Sequence, residues 1–490
     1  MKESGMLLFP VFFPILLGIA LLIFRKKKRN LLVMLTAAGL ICTALSVLFV
    51  LWQGELSWTL FALTARLPII FRVDLTGRLF AAVVTAVWVL AGVFSFEYMK
   101  HENNNGRYFG VYLMVYGVLN GLCFAGNLVT FYLFYECMTL VSLPMVFHTE
   151  TREAVMAGLK YLFYSLCGAY MALFGLYFVY RYSNTLTFTA KGVLDMSLVE
   201  GHEGLLLLAA FLMLMGFGVK AGLFPLHGWL PAAHPVAPAP ASAVLSGIIV
   251  KAGVLGIVRV IYYIFGISFL RGTWVQWTFL TLTLVTVFMG SMLAFLEKGL
   301  KKRLAYSTVS QASYILFGLG LLSQDALTGA LLHMTFHAVI KSGLFLCAGA
   351  IIFRTGKTKV EQLTGIGKEM PVTIWCYTLL SLALVGIPPA GGFVSKWFLA
   401  EGSLASGTGV FSWAGPVVLL LSALLTAGYL LPITMKGFFP GKEAGEAYER
   451  KEPVLVMTGP ILILAALAIA LGMLPKGLLS YIAQITGQVL

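Results

Sequence analysis

The sequence predicts an all-α membrane protein of about fourteen transmembrane helices, built partly from two inverted five-helix repeats. Three observations predict it. The chain of 490 residues is 59% hydrophobic and 11% charged, whereas soluble domains carry about 25% charged residues. Its apolar residues gather into stretches of about 20, the length that crosses hydrocarbon as a helix. Two of those stretches are interrupted by proline and glycine, and they stand five stretches apart.

In order, spans are expected at 6–24, 31–51, 77–99, 109–126, 128–147, 155–180 and 204–230. They continue at 241–264, 275–295, 303–322, 326–353, 371–402, 413–434 and 455–484. The first lacks a basic n-region and a small-residue cleavage site, so it reads as a retained helix. The stretch around 52–76 reads as a surface hairpin or loop. The seventh span contains "FGVKAGLFPLHGWLP" (217–231) and the twelfth "LVGIPPAGGFVSKWF" (384–398). Proline removes a backbone donor, so both helices should break. Irregular backbone at that depth is tolerated only inside protein or beside a wet cavity. Because five is odd, spans 4–8 and 9–13 would repeat with opposite membrane orientation. The chain then divides into 1–107 (spans 1–3), 108–264 and 275–434 (the two repeats), and 435–490 (a loop and the last helix).

The net charge of +14 lies largely in short loops. That pattern follows the positive-inside rule and does not call for a nucleic-acid partner. "RKKKR" (25–29) should be cytoplasmic. Alternation puts "EKGLKKR" (297–303), 354–370 and 436–453 on the same side and both termini outside. The six cysteines lie in apolar segments without CxxC spacing and read as small buried hydrophobes. No metal or cofactor site is expected.

Ionisable groups at membrane depth form a short set: Glu136, Lys220, Lys251, His333, His337, Lys341 and Lys396. Each costs at least about 2.5–3.5 kcal/mol at the bilayer centre. Plainer readings exist: snorkelling lysines, a structural carboxylate, core histidines. An i,i+4 His pair also suits a metal, but no carboxylate or cysteine accompanies it. His333, His337 and Lys341 stand four residues apart on one face, a row of roughly 12 Å. Buried lysine changes protonation readily and histidine titrates near neutrality, so the set suits proton transfer. Lys160 and Arg259, near span ends, read as interface anchors. No nucleotide fingerprint, nucleophile triad or haem ligation is present, so no redox or covalent catalytic site is expected.

With these residues in view, the sequence resembles the antiporter-like subunits of respiratory complex I, Mrp-type Na⁺/H⁺ antiporters and membrane-bound hydrogenases. The resemblance runs from about Asp74 to Leu430. It rests on "GVKAGLFPLHGWLPAAHPVAPAPASAVLSGIIVKAGVLGIVR" (218–259), "KKRLAYSTVSQASYILFGLG" (301–320), "LLHMTFHAVIKSGLFLCAG" (331–349) and "GIPPAGGFVSKWFL" (386–399). It implies that Glu136 pairs with Lys220, that Lys251 is central, and that His333, His337 and Lys341 lead toward Lys396. Ala232 stands where the family often has Asp. The resemblance further implies other membrane subunits as partners, the bilayer of a prokaryotic inner or plasma membrane, and H⁺ as the ion, with Na⁺ exchange as a variant. The expected function is a proton-translocating subunit of a redox-driven complex. The rivals are an Mrp-type subunit without a redox module and an independent transporter of organic solutes.

Overall fold

The computed structural model describes residues 2–25, 27–441 and 448–490. Lys26 of the expected 25–29 loop and residues 442–447 of the 436–453 loop lie outside them. Helix dominates because backbone polar groups in lipid must find partners within their own segment. The long helices are α1 (Phe9–Ile23), α2 (Arg29–Gln53), α3 (Leu75–Tyr98), α4 (Asn105–Cys123), α5 (Leu128–Val146) and α6 (Arg152–Arg181). The first broken span is α7 (Glu203–Ala221) followed by α8 (Leu230–Val236). Then come α9 (Ala239–Phe265), α10 (Trp274–Leu296), α11 (Leu300–Gly320) and α12 (Gln324–Thr355). The second broken span is α13 (Pro371–Val385) and α14 (Gly391–Leu404), before α15 (Val410–Phe438), α16 (Leu455–Met473) and α17 (Lys476–Val489).

Among the described residues, 11 helices are long and apolar enough to cross a membrane. Three expected spans fall outside that set: 371–402, which its break divides into the shorter Pro371–Val385 and Gly391–Leu404, and 109–126 and 303–322, for a different physical reason. Helices α4 and α11 are buried nearly throughout. Helix α4 therefore carries tyrosines, and α11 the polar run "STVSQASY", facing protein instead of lipid. Residues 455–484 are not one helix: α16 ends at Met473 and α17 starts at Lys476. Before α3, the expected hairpin is present, and a short N-terminal strand joins it to make a three-stranded sheet. Strand β1 (Lys2–Glu3) pairs parallel with β2 (Leu56–Ala62), and β2 pairs antiparallel with β3 (Pro68–Arg72), Trp58 opposite Phe71.

The two breaks are made by glycine more than by proline. Helix α7 stops at Gly222 (φ 80°), whose N–H closes back on the Gly218 carbonyl, three residues before Pro225. Helix α13 stops at Gly386 (φ 96°), two residues before the proline pair. A left-handed C-terminal residue is cheap only for glycine. The prolines then prevent the helix from resuming. Helix α9 is pressed between its neighbours. A Cβ on Gly253 would lie 2.5 Å from the Phe217 carbonyl oxygen of α7, and one on Gly247 would lie 2.0 Å from Ser342 Oγ of α12. Small residues thus let three backbones approach closely, which brings the buried lysines of α7 and α9 and the histidines of α12 into one region.

Candidate functional site: a buried row of titratable groups

Lys220, at the last turn of α7, is 0% exposed. Its Nζ donates to Tyr161 Oη of α6 at 2.6 Å and lies 5.8 Å from the Trp229 ring. Tyr161 Oη is in turn 2.7 Å from Ser142 Oγ of α5. Glu136 lies on α5 and is half-buried, with Oε1 unpartnered. Among the described residues no ion pair joins it to Lys220. The nearest hold on the lysine is therefore a tyrosine hydroxyl.

Lys251 sits in α9 between two π-helical turns, Leu245–Ile249 and Arg259–Phe265. Such turns widen a helix and often mark functional sites. Its Nζ donates to the Ser246 carbonyl at 2.8 Å and lies 2.5 Å from His337 Nδ1 of α12. Two nitrogen bases at that distance can share one proton. Two cations there would repel strongly. The His337 and His333 rings are 6.0 Å apart between centroids. His333 Nδ1 meets Ser395 Oγ of α14 at 2.9 Å, and its ring stacks on Tyr314 of α11 at 5.3 Å. Lys396 Nζ also lies near Tyr314, 5.2 Å from the ring centroid. Lys396 is half-buried and donates to the Leu384 and Val385 carbonyls, 2.7 and 2.8 Å away. These belong to the last turn of α13, where the helix dipole favours a cation.

Lys341 is fully buried but turns from the row. Its Nζ donates to the Leu304 carbonyl of α11 at 3.0 Å. The single line expected for His333, His337 and Lys341 is thus a pair of histidines plus a lysine aimed at another helix. Both histidines leave Nε2 unpartnered in a buried setting, where a buried polar atom normally finds water or protein.

Arg259 is not an interface anchor. It is 1% exposed and makes a two-pronged contact with Asp74, its Nη2 to Oδ1 at 2.8 Å, beside the Phe188 and Tyr263 rings. Asp74 also caps α3 by accepting from Gly77 N–H at 2.7 Å. Lys160 is exposed. Cys42 and Cys137 face outward instead of being buried.

Sequence reasoning missed Tyr161, Tyr314, Ser142, Ser395 and His234. Tyrosine scores as apolar, and Ser395 was hidden beside Lys396. His234 lies in α8, inside the quoted "LPAAHPV", between two expected spans. It is 0% exposed with both ring nitrogens unpartnered. Among the described residues, no three His, Cys, Asp or Glu side chains gather as metal ligands would.

The chain is similar to known proteins over most of its length. Residues 125–448 match the family model described as NADH:quinone oxidoreductase/Mrp antiporter, TM, and residues 58–109 match that of NADH-Ubiquinone oxidoreductase (complex I), chain 5 N-terminus. NADH-quinone oxidoreductase subunit N of Desulforudis audaxviator is 31% identical over 399 residues, 79% of this chain and 77% of the relative. A Na(+)/H(+) antiporter subunit of Bacillus subtilis is 27% identical over 475 residues, 96% and 94% of the two chains. A chain of the Mrp complex from Dietzia sp. DQ12-45-1b superposes with a TM-score of 0.85 at 23% identity, covering 99% of this chain and 97% of that one.

Proposed function

Since the chain belongs to the NADH:quinone oxidoreductase/Mrp antiporter transmembrane family, we propose that it is the proton-translocating subunit of a larger membrane complex. Protons move between Lys220, Lys251, His337, His333 and Lys396, with water filling the gaps. Glu136 biases Lys220, and Lys341 biases the centre. The observation that carries this reading is the 2.5 Å contact between Lys251 and His337. It bridges the two halves that the sequence divides at 108–264 and 275–434, and it is made of two nitrogen bases that can share one proton. A passive scaffold has no use for it, because each buried charge costs insertion energy.

The chain in this reading has about fourteen spans. Spans 4–8 and 9–13 form inverted repeats, 1–107 and 435–490 flank them, and both termini face outward. The glycine-stopped breaks at Ala221 and Val385 support the repeats. Its partners are neighbouring antiporter-like or small membrane subunits in a prokaryotic membrane, driven by a redox module of the complex I or hydrogenase kind. A second reading has one specific support. The Bacillus subtilis antiporter relative aligns with 96% of this chain, which favours gradient-driven Na⁺/H⁺ exchange without a redox module. The proteins that co-purify with the chain decide between the two.

The test of translocation itself is Lys251→Met in membrane vesicles holding the assembled complex. General acid–base steps contribute about a hundredfold or more, so proton flux should fall by that order at equal assembly. Wild-type flux in this variant would overturn the reading.

A further inference from the structure

The first turn of α11 carries Lys301, within the basic 297–303 loop and ahead of the expected span 303–322. Its Nζ donates to the Pro235 carbonyl at 2.9 Å and to the Ala237 carbonyl. These lie at the C-terminal end of α8, where carbonyls lack helical partners. Capping α8 would be a sufficient structural role for a lysine. Three further observations exceed that role.

A cavity of about 390 Å³ opens beside Lys301, and Glu102, Lys302, Lys359 and Tyr98 also line it. Glu102 is the acid among its lining residues, and no ion pair among the described residues engages it. Burial pushes the Glu102 carboxyl up, while Lys301 and His101 pull it down. Burial pushes the Lys301 ammonium down to about 7, against the opposing pull of Glu102. One residue before Pro235 stands His234, with both ring nitrogens unpartnered. Its ring stacks on Phe345 of α12 at 4.8 Å, on the helix that carries His333, His337 and Lys341. The cavity thus borders Lys301, and the Pro235 carbonyl that Lys301 holds is next in the chain to the buried imidazole.

We propose that Glu102, Lys301 and His234 form the mouth of the proton relay on the face that carries the basic loops. Glu102 takes a proton from a hydronium ion in the cavity, which leaves as water. The neutral Lys301 amine accepts it, forming an N–H bond and leaving the carboxylate. The ammonium then gives a proton to a His234 ring nitrogen, which leaves a neutral amine and an imidazolium. The imidazolium passes its proton inward, through water, toward Lys251. Each step moves one proton and conserves charge, and the sequence runs equally in reverse. The other charged groups lining the cavity, Lys302 and Lys359, are basic, as is His101 beside Glu102, so Glu102 sets the local balance.

This inference rests on the relay proposed above, so its test runs beside Lys251→Met in the same vesicles. Lys301→Arg keeps a cation for the α8 carbonyls but cannot release a proton. Its flux should fall at least about tenfold. Glu102→Gln removes the group that holds the Lys301 proton. The alkaline limb of the flux profile should then move about one unit to lower pH. Wild-type flux in Lys301→Arg, or an unshifted profile in Glu102→Gln, overturns the mouth. If Lys251→Met has lost flux in that experiment, the mouth alone is wrong. If Lys251→Met also transports normally, the relay is wrong as well.

Discussion

The two broken helices hold their lysines in opposite ways. Lys220 stands before its break, at the end of α7, and its ammonium is held by the Tyr161 hydroxyl. Lys396 stands after its break, inside α14, and its ammonium reaches back to two carbonyls of α13. A hydroxyl can rotate, accept from one neighbour and donate to another. Carbonyls at a helix end are fixed and favour a cation at all times. The difference teaches that one broken span presents a proton whose hold can be switched, while the other presents a proton held at a fixed site. Glu136 lies on the first side, where a change of its charge can act on the lysine. No carboxylate of the proposed relay lies on the second side.

The sharpest way to break this contrast is at Lys220. Lys220→Ala should reduce proton flux about a hundredfold, because a relay step is lost outright. Tyr161→Phe keeps the ring and removes the hydroxyl, and it should cost about tenfold. Flux is read in vesicles with assembly checked by subunit content. If Tyr161→Phe transports like wild type, the hydroxyl is packing only and the switchable hold disappears.

Lys396 gives the converse test. Lys396→Met should lower flux about tenfold and also destabilise the α13 end by about 1 kcal/mol, the scale of a cation at a helix terminus. Lys396→Arg should restore the stability, since guanidinium satisfies the same carbonyls, but not the flux. Thermal unfolding of the purified complex and vesicle flux read the two effects separately. Full recovery of both by Arg would make Lys396 an electrostatic post and not a relay member.

Much of this arrangement was legible in the chain, for reasons particular to each part. The breaks announce themselves because Lys220 and Lys396 sit beside glycine and proline in apolar sequence. Their exact ends do not, because a glycine in an apolar run looks the same whether it packs or caps. Arg259 was misread because its partner Asp74 lies 185 residues away. A charge near a span end looks like a snorkelling anchor until that partner is seen. Lys341 shares a helix face with His337, but helical spacing fixes only where a side chain starts. Its flexible stem carries the ammonium to Leu304 on α11 instead. The hydroxyls that hold the row were invisible, since tyrosine and serine in apolar segments carry no mark of their partners.

Those hydroxyls supply the smallest and most discriminating test. On the second side, Ser395 touches the relay itself, its Oγ 2.9 Å from His333 Nδ1. On the first side, Ser142 stands one step behind, bonded to Tyr161, which still holds Lys220 when Ser142 is gone. Ser395→Ala leaves both His333 ring nitrogens unpartnered, because Nε2 has no partner already. A buried group left unsatisfied costs roughly 1–3 kcal/mol, and part of that cost falls on the orientation from which His333 passes its proton. Flux should drop severalfold. Ser142→Ala should cost about twofold or less, because Tyr161 keeps one of its two hydrogen bonds. Threonine at 395 retains the hydroxyl and should restore flux where alanine does not. Equal losses at the two serines would mean that both sides are held alike, and the contrast between a switchable and a fixed hold would fall with it.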